Sequence, residues 1–217
     1  MSELRYTITN LTSQVRDVDR VNVFIDGTYH LSLTTRQVVD LGIKIGQSID
    51  DNKKLQLEEH SVFGKVFTRT LEWSLSRPRS VRELEQYLYR KTQDRSTRRK
   101  DGQAYILKGV PELVVEEVAR SIVSKGYVDD ASFARFWVEH RMQRKGVSLR
   151  RLRAELAQKG VERDVIEVAM SECERTDESE IIKVINKKRN TYKTEDKLIG
   201  YLARQGFSYD EIKKALE

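Results

Sequence analysis

The stretch Ser148-Leu-Arg-Arg-Leu152-Arg-Ala-Glu-Leu156 has two counterparts in the same chain, Ser80-Val-Arg-Glu-Leu84-Glu-Gln-Tyr-Leu88 and Thr194-Glu-Asp-Lys-Leu198-Ile-Gly-Tyr-Leu202. Each copy begins with a hydroxyl residue and places leucines four and eight positions later. Two copies reach a pair of glycine and an apolar residue 12 positions after the hydroxyl, at Gly160 and Gly206. A period of about fifty residues is typical of repeat proteins, which favours an extended binding surface over an enzyme pocket.

Helical periodicity surrounds each copy. From Val62 onward apolar residues recur at spacings of three and four, which places them on one face of a helix. Each copy forms a second helix, a third helix follows the shared glycine, and first helices are expected within 67–75, 133–142 and 181–185. The sequence therefore predicts a mainly α fold in which three tandem three-helix repeats, at 62–128, 129–176 and 177–217, form an elongated curved array.

A small α+β N-terminal domain is expected at 1–61, before the repeats. Residues 20–34 alternate between apolar and polar, with Val21, Val23 and Ile25 on one face, then Tyr29, Leu31 and Leu33, and Asp26-Gly27 between the two runs. This pattern predicts a β-hairpin. A strand near 6–11 is expected to pair with it, a short helix from about Thr35 to end at Gly42, and another helix to start after Asp50-Asp51.

The composition describes a chain of solvated helices. Its 217 residues are 34% charged and include only two prolines. No apolar run approaches the roughly 20 residues of a membrane span, and the first residues lack the apolar stretch of a signal peptide. We therefore expect a cytoplasmic protein without a membrane partner. The single cysteine, Cys173, fits a reducing compartment and gives no support to a zinc site.

The net charge of +6 is unevenly distributed along the chain. Residues 1–62 carry 7 Lys and Arg against 9 Asp and Glu, whereas residues 63–217 carry 33 against 25. The repeats are basic, whereas the N-terminal domain that precedes them is slightly acidic. This indicates that the repeats bind a polyanion or an acidic groove of a protein. Charge alone does not distinguish these two partners.

The first repeat contains an insertion at about 92–108. Ser80 and Gly109 are 29 residues apart, against 12 in the other copies, so this repeat is 17 residues longer. Asp101-Gly102 between two candidate strands favours a protruding hairpin. A disordered basic loop is an equal alternative, because the residues before Asp101 show little apolar alternation. Tyr89 and Tyr105 are the aromatic residues best suited to contact a nucleic-acid base.

Three clusters of cations are candidate binding sites, and the middle one is the strongest because no acid lies between Glu139 and Glu155. It also covers the helix start at Ser148, where free N–H groups favour an anion. Arg151 stands where the first repeat has the capping Glu83, an exchange that suggests a functional role. A solvated face without a partner is the alternative. The candidate filament- or DNA-binding residues are Arg141, Arg144, Lys145, Arg150, Arg151, Arg153, Arg98, Arg99, Lys100, Lys187, Lys188 and Arg189.

Signs of an enzyme are weak. The histidine considered is His140, which lies near acids that include Asp129 and Asp130, but Asp129-Asp130 more simply caps the next helix. A metal-dependent nuclease that uses these three residues is a remote alternative. No phosphate-cradling glycine loop occurs, and Cys173 has no base beside it in the sequence. We expect no catalytic residues, no metal and no cofactor.

Three motifs, in order, resemble the repeats of the bacterial RecX family. They are Gly126-Tyr-Val-Asp-Asp-Ala-Ser-Phe-Ala-Arg-Phe-Trp-Val, Lys145-Gly-Val-Ser-Leu-Arg-Arg-Leu-Arg-Ala-Glu-Leu-Ala-Gln-Lys-Gly-Val and Leu202-Ala-Arg-Gln-Gly-Phe-Ser-Tyr-Asp-Glu-Ile-Lys-Lys-Ala-Leu. The head resembles the N-terminal extension of longer members through Arg20-Val-Asn-Val-Phe-Ile-Asp-Gly and Leu41-Gly-Ile-Lys-Ile-Gly. The resemblance covers essentially all of residues 62–217. The insertion departs from the compact repeat of the family.

The resemblance implies a regulator, usually an inhibitor, of the RecA recombinase. Such a protein binds the RecA–DNA filament and modulates its ATPase and strand exchange without being an enzyme. The expected partners are therefore the RecA filament and single- or double-stranded DNA, with the protein itself a monomer. A basic helical protein that binds DNA on its own is the alternative. Because the family has no catalytic set, only the basic positions named above carry over.

Overall fold

The computed structural model describes residues 5–15, 17–99, 101–192 and 194–217. These residues form ten helices and six strands, which gather into two compact units. The first unit consists of Met1–Trp73 and Tyr87–Ser124, and the second of Ser74–Gln86 and Lys125–Glu217. The predicted mainly α fold with an N-terminal sheet is confirmed. Among the helices of the described ranges, none has the length and apolar character to cross a membrane.

A four-stranded antiparallel sheet opens the first unit. Its strands are β1 (Tyr6–Ser13), β2 (Arg20–Ile25), β3 (Thr28–Thr34) and β4 (Ser48–Ile49), in the order β3-β2-β1-β4. The predicted hairpin is confirmed, and both turn residues have positive φ, 49° at Asp26 and 80° at Gly27. This conformation matches the twist of the flanking strands. β4 was not predicted, because two residues give no periodicity.

The buried face of the sheet differs from the prediction at one position. Val23 pairs with Leu31 but Phe24 pairs with Tyr29, so a β-bulge shifts the register between them. The alternation predicted for 29–33 is therefore wrong at Tyr29, whose ring is 54% exposed and meets the edge of Phe24. The core of this unit consists of Ile8, Val23, Ile25, Leu31, Leu33, Ile43, Ile49 and Leu57.

Two helices follow the sheet, α1 (Thr35–Asp40) and α2 (Asp51–Leu75). α1 ends before Gly42 as predicted, and α2 starts at the predicted acidic pair. α2 is continuous across 61/62, where the boundary between head and repeats is expected. Gly64 lets α1 approach α2, because a Cβ there would lie 2.6 Å from the Gln37 side-chain oxygen. Gln37 in turn donates a hydrogen bond to the His60 carbonyl at 2.6 Å.

The insertion forms a hairpin, which decides between the two alternatives left by the sequence. It follows α3 (Val81–Thr92), consists of β5 (Arg95–Arg98) and β6 (Ala104–Leu107), and leads into α4 (Glu112–Ser124). The backbone closes at its base, where the Val110 N–H donates to the Lys91 carbonyl at 2.9 Å. Gly109 has no room for a side chain, because a Cβ there would overlap the Thr92 carbonyl.

The second unit contains the other six helices, α5 (Asp130–His140), α6 (Leu149–Gln158), α7 (Arg163–Ser171), α8 (Asp177–Lys188), α9 (Glu195–Arg204) and α10 (Tyr209–Leu216). The repeated leucines are buried as predicted, with Leu152 and Leu156 in one core and Leu198 and Leu202 in another. Pro78 and Gly146 both lie between helices. The domain boundaries and the curvature of the array stay predictions.

Candidate functional site

The middle cation cluster lies around the connection between α5 and α6. α5 ends at His140, and the chain turns through two residues with positive φ, Met142 at 53° and Gly146 at 78°. Ser148 then begins α6 by accepting a hydrogen bond from the Arg151 N–H. The turn between the helices carries Arg144 and Lys145.

One cation of this cluster is held by a carboxylate. Arg141 forms an ion pair of 2.7 Å with Glu155, and its guanidinium lies 5.1 Å from the centre of the Trp137 ring. The hydrogen bonds that Arg141 donates to Glu155 raise the pKa of Arg141. Burial acts to raise the pKa of Glu155, but the hydrogen bonds from Arg141 and Arg151 outweigh it and hold that pKa below its ordinary value. Arg141 therefore fastens α5 to α6.

Two more cations of the cluster are also paired. Arg151 forms an ion pair of 3.1 Å with Glu155 and donates a hydrogen bond to the Gln205 side chain. Arg153 forms an ion pair of 3.2 Å with Glu167 on α7. Both arginines stabilise the fold of the second unit, so their charges are partly compensated.

The remaining three cations of the cluster are Arg144, Lys145 and Arg150. Their side chains are exposed, and none forms a hydrogen bond or an ion pair with another described residue. We call these three residues the turn cations. They are the part of the middle cluster that is available to an anionic partner, since their charge has no compensation within the described ranges.

The exchange of Glu83 for Arg151 has a structural explanation. Glu83 forms an ion pair of 2.6 Å with Lys159, the residue before Gly160. Arg151 binds Gln205, the residue before Gly206, at the equivalent place. Between the two repeats, the residue at the Glu83 or Arg151 position and the residue before the shared glycine therefore differ together. The contact with Gln205 explains Arg151, so the exchange no longer indicates a binding role.

The hydroxyl residues of the repeat connect consecutive repeats within the second unit. Ser80 donates a hydrogen bond to the Lys159 carbonyl at 2.9 Å, and Ser148 donates one to the Gln205 carbonyl at 2.7 Å. We call each such connection a repeat joint. The first N–H group of the helix is also bound, because Asp177 accepts from Leu149 at 2.8 Å.

The N-terminus of α6, where the sequence predicts an anion site, is already occupied in part by groups of the protein itself. Its N–H groups at Leu149 and Arg151 are already bound by Asp177 and Ser148. Burial raises the pKa of Asp177, and the Leu149 N–H opposes this shift. An anion would have to displace a carboxylate of the protein itself.

A buried carboxylate holds the turn that carries the cations. The Glu180 side chain is 0% exposed and forms ion pairs of 2.7 Å with both Arg175 and Lys183. It also accepts a hydrogen bond of 3.0 Å from the Val147 N–H. Gly146 passes so close to α8 that a Cβ would overlap the Glu180 carbonyl. The end of the turn, next to Arg144 and Lys145, is thus fixed on α8.

The other two predicted clusters are less uniform. On the hairpin, Arg98 is exposed, Arg99 lies 5.5 Å from the centre of the Tyr105 ring, and Lys100 lies outside the described residues. At the end of α8, Lys188 lies 5.6 Å from the centre of the Tyr201 ring, while Lys187 and Arg189 are exposed. The hairpin belongs to the first unit and α8 to the second.

The residues considered for a nuclease have structural roles. Asp129 caps α5 by accepting a hydrogen bond from the Ser132 N–H at 2.7 Å, as predicted, and Asp130 accepts one from the Val81 N–H at 2.9 Å. His140 stacks on Phe136. Within the described ranges, no group of three or more His, Cys, Asp or Glu is placed to hold a metal ion.

Sequence reasoning missed a second basic site, in the first unit. A cleft lies between α2, the end of α3 and the base of the hairpin, and its cationic residues are Lys65, Arg69, Lys91, Arg95 and Lys108. The sequence offered two signals: the first cation cluster, which includes Lys91 and Arg95, and the spacing of Lys65 and Arg69, four residues apart on one helix face. These cations come from different elements, which the fold brings to the cleft.

Comparison with known families matches three parts of the chain. Residues 6–50 match the regulatory protein RecX N-terminal domain, residues 129–170 match the RecX second three-helix domain, and residues 180–216 match the RecX third three-helix domain. The matches thus include the sheet and both repeats that lie wholly in the second unit.

Relatives in other bacteria match over nearly the full length. Regulatory protein RecX of Caldanaerobacter subterraneus subsp. tengcongensis is 30% identical over 199 residues, which cover 91% of this chain and 92% of that protein. Regulatory protein RecX of Clostridium botulinum (strain Alaska E43 / Type E3) is 28% identical over 219 residues, covering 97% and 94%.

A solved structure has the same fold. A crystal structure of regulatory protein RecX superimposes with a TM-score of 0.70 at 18% identity and covers 97% of this chain and 98% of that one. At this identity the superposition supports the fold, while the relatives of higher identity support the family. Both agree with the repeat motifs and the N-terminal hairpin. The chain belongs to the RecX family of regulatory proteins.

Proposed function

We propose that this protein binds the RecA–DNA filament and inhibits its ATPase and strand exchange. Membership of a family of regulatory proteins supports a regulatory role. The RecA filament as partner and the inhibition are what the family resemblance implies, and the cytoplasmic location is what the composition of the sequence favours. The protein acts by binding, without a catalytic residue of its own, and it does so as a monomer.

The observation that carries this proposal is the placement of the turn cations. Arg144 and Lys145 project from a turn that Glu180 fixes through the Val147 N–H at 3.0 Å, and Arg150 lies in the first turn of α6, which follows. Three uncompensated charges on a fixed backbone lose little freedom when a partner binds. They suit an anionic surface, either carboxylates of a protein groove or phosphates of DNA.

The paired arginines have a different part in this proposal. Arg141, Arg151 and Arg153 hold α5, α6 and α7 together through Glu155 and Glu167. They present the turn cations to the partner rather than contacting it. A bound regulator then inhibits the filament by resisting the conformational cycle that accompanies ATP hydrolysis.

The test is the ATPase rate of RecA on single-stranded DNA with increasing amounts of the protein. We expect the rate to fall as the protein approaches stoichiometry with RecA. Co-sedimentation with the filament should show the protein bound over the same range. An unchanged rate together with absence from the filament pellet would overturn the proposal.

The site is tested by a triple variant and a matched control. Arg144→Ala with Lys145→Ala and Arg150→Ala removes the turn cations and should weaken filament binding by on the order of 10-fold or more. The control is Arg120→Ala with Lys125→Ala and Arg163→Ala, which removes the same charge from exposed positions elsewhere. Equal loss in both variants would show that only net charge matters.

A further inference from the structure

The basic cleft of the first unit concentrates cations from separate elements. Lys65 and Arg69 come from α2, Lys91 from the end of α3, and Arg95 and Lys108 from the base of the hairpin. The cavity has a volume of about 190 Å³, and no acidic side chain lines it. Like charges gathered in this way repel each other unless an anion lies between them.

Three of the five cations of the cleft are uncompensated within the described ranges, while the Lys91 ammonium lies 4.6 Å from the centre of the Tyr87 ring and Lys108 is ion-paired. Lys108 forms an ion pair of 2.9 Å with Asp94, which also accepts a hydrogen bond from the Gly109 N–H at 2.9 Å. Among the described residues, Lys65, Arg69 and Arg95 form no ion pair. Asp94 therefore fixes the base of the hairpin while most of the positive charge stays free.

Lys65 lies among other positive charges and is partly removed from water. Partial removal of its ammonium from water lowers the pKa of Lys65, and the nearby charges of Arg20 and Arg69 lower it further. Arg20 is itself buried and donates hydrogen bonds of 2.9 Å to the Ser32 carbonyl and hydroxyl. An anion in the cleft would reverse this effect by stabilising the charged form of Lys65.

The hairpin adds an apolar and aromatic surface beside the cleft. Arg95 pairs with Leu107 and Thr97 pairs with Tyr105, so these four side chains share one face of the two-stranded sheet. Leu107 lines the cleft, and Tyr105, two residues before it on the same strand, is 40% exposed. An aromatic ring thus adjoins a cluster of phosphate-binding residue types.

We propose that this cleft binds a backbone phosphate of a single nucleic-acid strand, with a neighbouring base against Tyr105. The small volume suits one phosphate group rather than the groove of a duplex. Base stacking on an aromatic ring requires an unpaired base, which a single strand supplies and a duplex does not. The site lies in the first unit, and the turn cations lie in the second.

The first experiment measures binding of a fluorescent oligothymidylate by anisotropy, without any recombinase. Lys65→Ala with Arg69→Ala should weaken binding by on the order of 10-fold or more and should lower the slope of log affinity against log salt by about 0.7 for each phosphate that the variant no longer neutralises. Arg95→Gln tests the hairpin side of the cleft and should weaken binding in the same direction. Circular dichroism confirms that each variant is folded.

A matched control separates the cleft from net charge. Lys44→Ala with Arg120→Ala removes two exposed cations of the same unit that lie outside the cleft, and it should leave the affinity within about twofold. Tyr105→Ala should weaken binding by on the order of 10-fold with little change in the salt slope, because stacking is not ionic. Equal losses in the cleft variant and the control would overturn the proposal.

Two competitors decide the class of ligand. Unlabelled single-stranded DNA should displace the probe, whereas a duplex of the same length should do so at least several times less well. Displacement by polyglutamate at comparable concentration would show that the cleft binds acidic protein instead. Tighter binding of the duplex, with no effect of Tyr105→Ala, would also overturn the proposal. Because RecA is absent, failure here leaves the proposed regulation of the filament untouched.

Discussion

The Ser148 hydroxyl donates a hydrogen bond of 2.7 Å to the carbonyl of Gln205, 57 residues further along the chain. The same oxygen accepts a hydrogen bond from the Arg151 N–H at 3.2 Å. One side chain therefore caps its own helix and binds the end of a helix in the next repeat. Ser80 has the same two roles, toward Glu83 and Lys159.

Ser148→Ala should destabilise the protein by about 1–3 kcal/mol, because it removes the cap of α6 and leaves the Gln205 carbonyl without its hydrogen-bond donor. Thermal or urea unfolding followed by circular dichroism measures the change. Thr194→Ala is the matched control, since Thr194 occupies the equivalent position and its side chain makes no capping hydrogen bond. Equal destabilisation by both substitutions would contradict the role of the joint.

The glycine of the joint is required for two reasons. Gly206 has a φ of 97°, and a Cβ there would lie 2.5 Å from the Ser148 hydroxyl oxygen. Gly206→Ala should therefore cost about 2–4 kcal/mol, from backbone strain and from the lost hydrogen bond together. Gly126→Ala supplies the control, because its φ of 72° is strained but a Cβ would meet no atom within 4 Å. If Gly206→Ala and Gly126→Ala lowered the stability by the same amount, backbone strain alone would account for the loss, and the contact with Ser148 would contribute nothing.

Arg150 and Arg151 are neighbours with opposite expected phenotypes. Arg151→Ala removes the bonds to Glu155 and Gln205 and should cost about 1–2 kcal/mol of stability. Arg150→Ala removes an exposed side chain and should leave the unfolding midpoint unchanged while it weakens filament binding. Unfolding curves and co-sedimentation of both variants check this. A stable Arg151→Ala protein that no longer binds would restore Arg151 as a contact residue.

The repeats and the head hairpin could be predicted from sequence because their signals are local. The leucines of α6 and α9 recur at helical spacing, and Asp26-Gly27 has the residue types that its turn requires. A bulge that moves Tyr29 to the exposed side has no such signal. The two-residue strand β4 has none either.

The candidate site could be predicted only as a set of residues. Arg150 and Arg151 look alike in the sequence, and what separates them is Gln205, 54 residues from Arg151. The basic cleft could not be predicted for the same reason, because residues distant in the sequence, such as Lys65 and Lys108, come close to each other only in the folded protein. Sequence patterns indicate which charges exist, while the fold decides which of them are compensated.

Glu180 should make the stability of the second unit sensitive to acid. Burial acts to raise its pKa, but hydrogen bonds from Arg175, Lys183 and the Val147 N–H outweigh this, so the folded pKa lies below the ordinary value. The unfolded state then binds more protons at acid pH, and the stabilisation is present above about pH 4.3 and is lost as the pH falls through the folded pKa.

Glu180→Gln should destabilise the protein by about 3–5 kcal/mol at neutral pH, because it leaves Arg175 and Lys183 without their counter-charge. The variant should also lose less stability than the parent as the pH falls below about 4.3. Urea unfolding at a series of pH values measures both effects. Glu178→Gln is the control, since Glu178 is 69% exposed and pairs only with Lys214 among the described residues. If the parent and the Glu180→Gln variant lost the same stability as the pH fell, the carboxylate that binds the turn at Val147 would not be the acid-sensitive group.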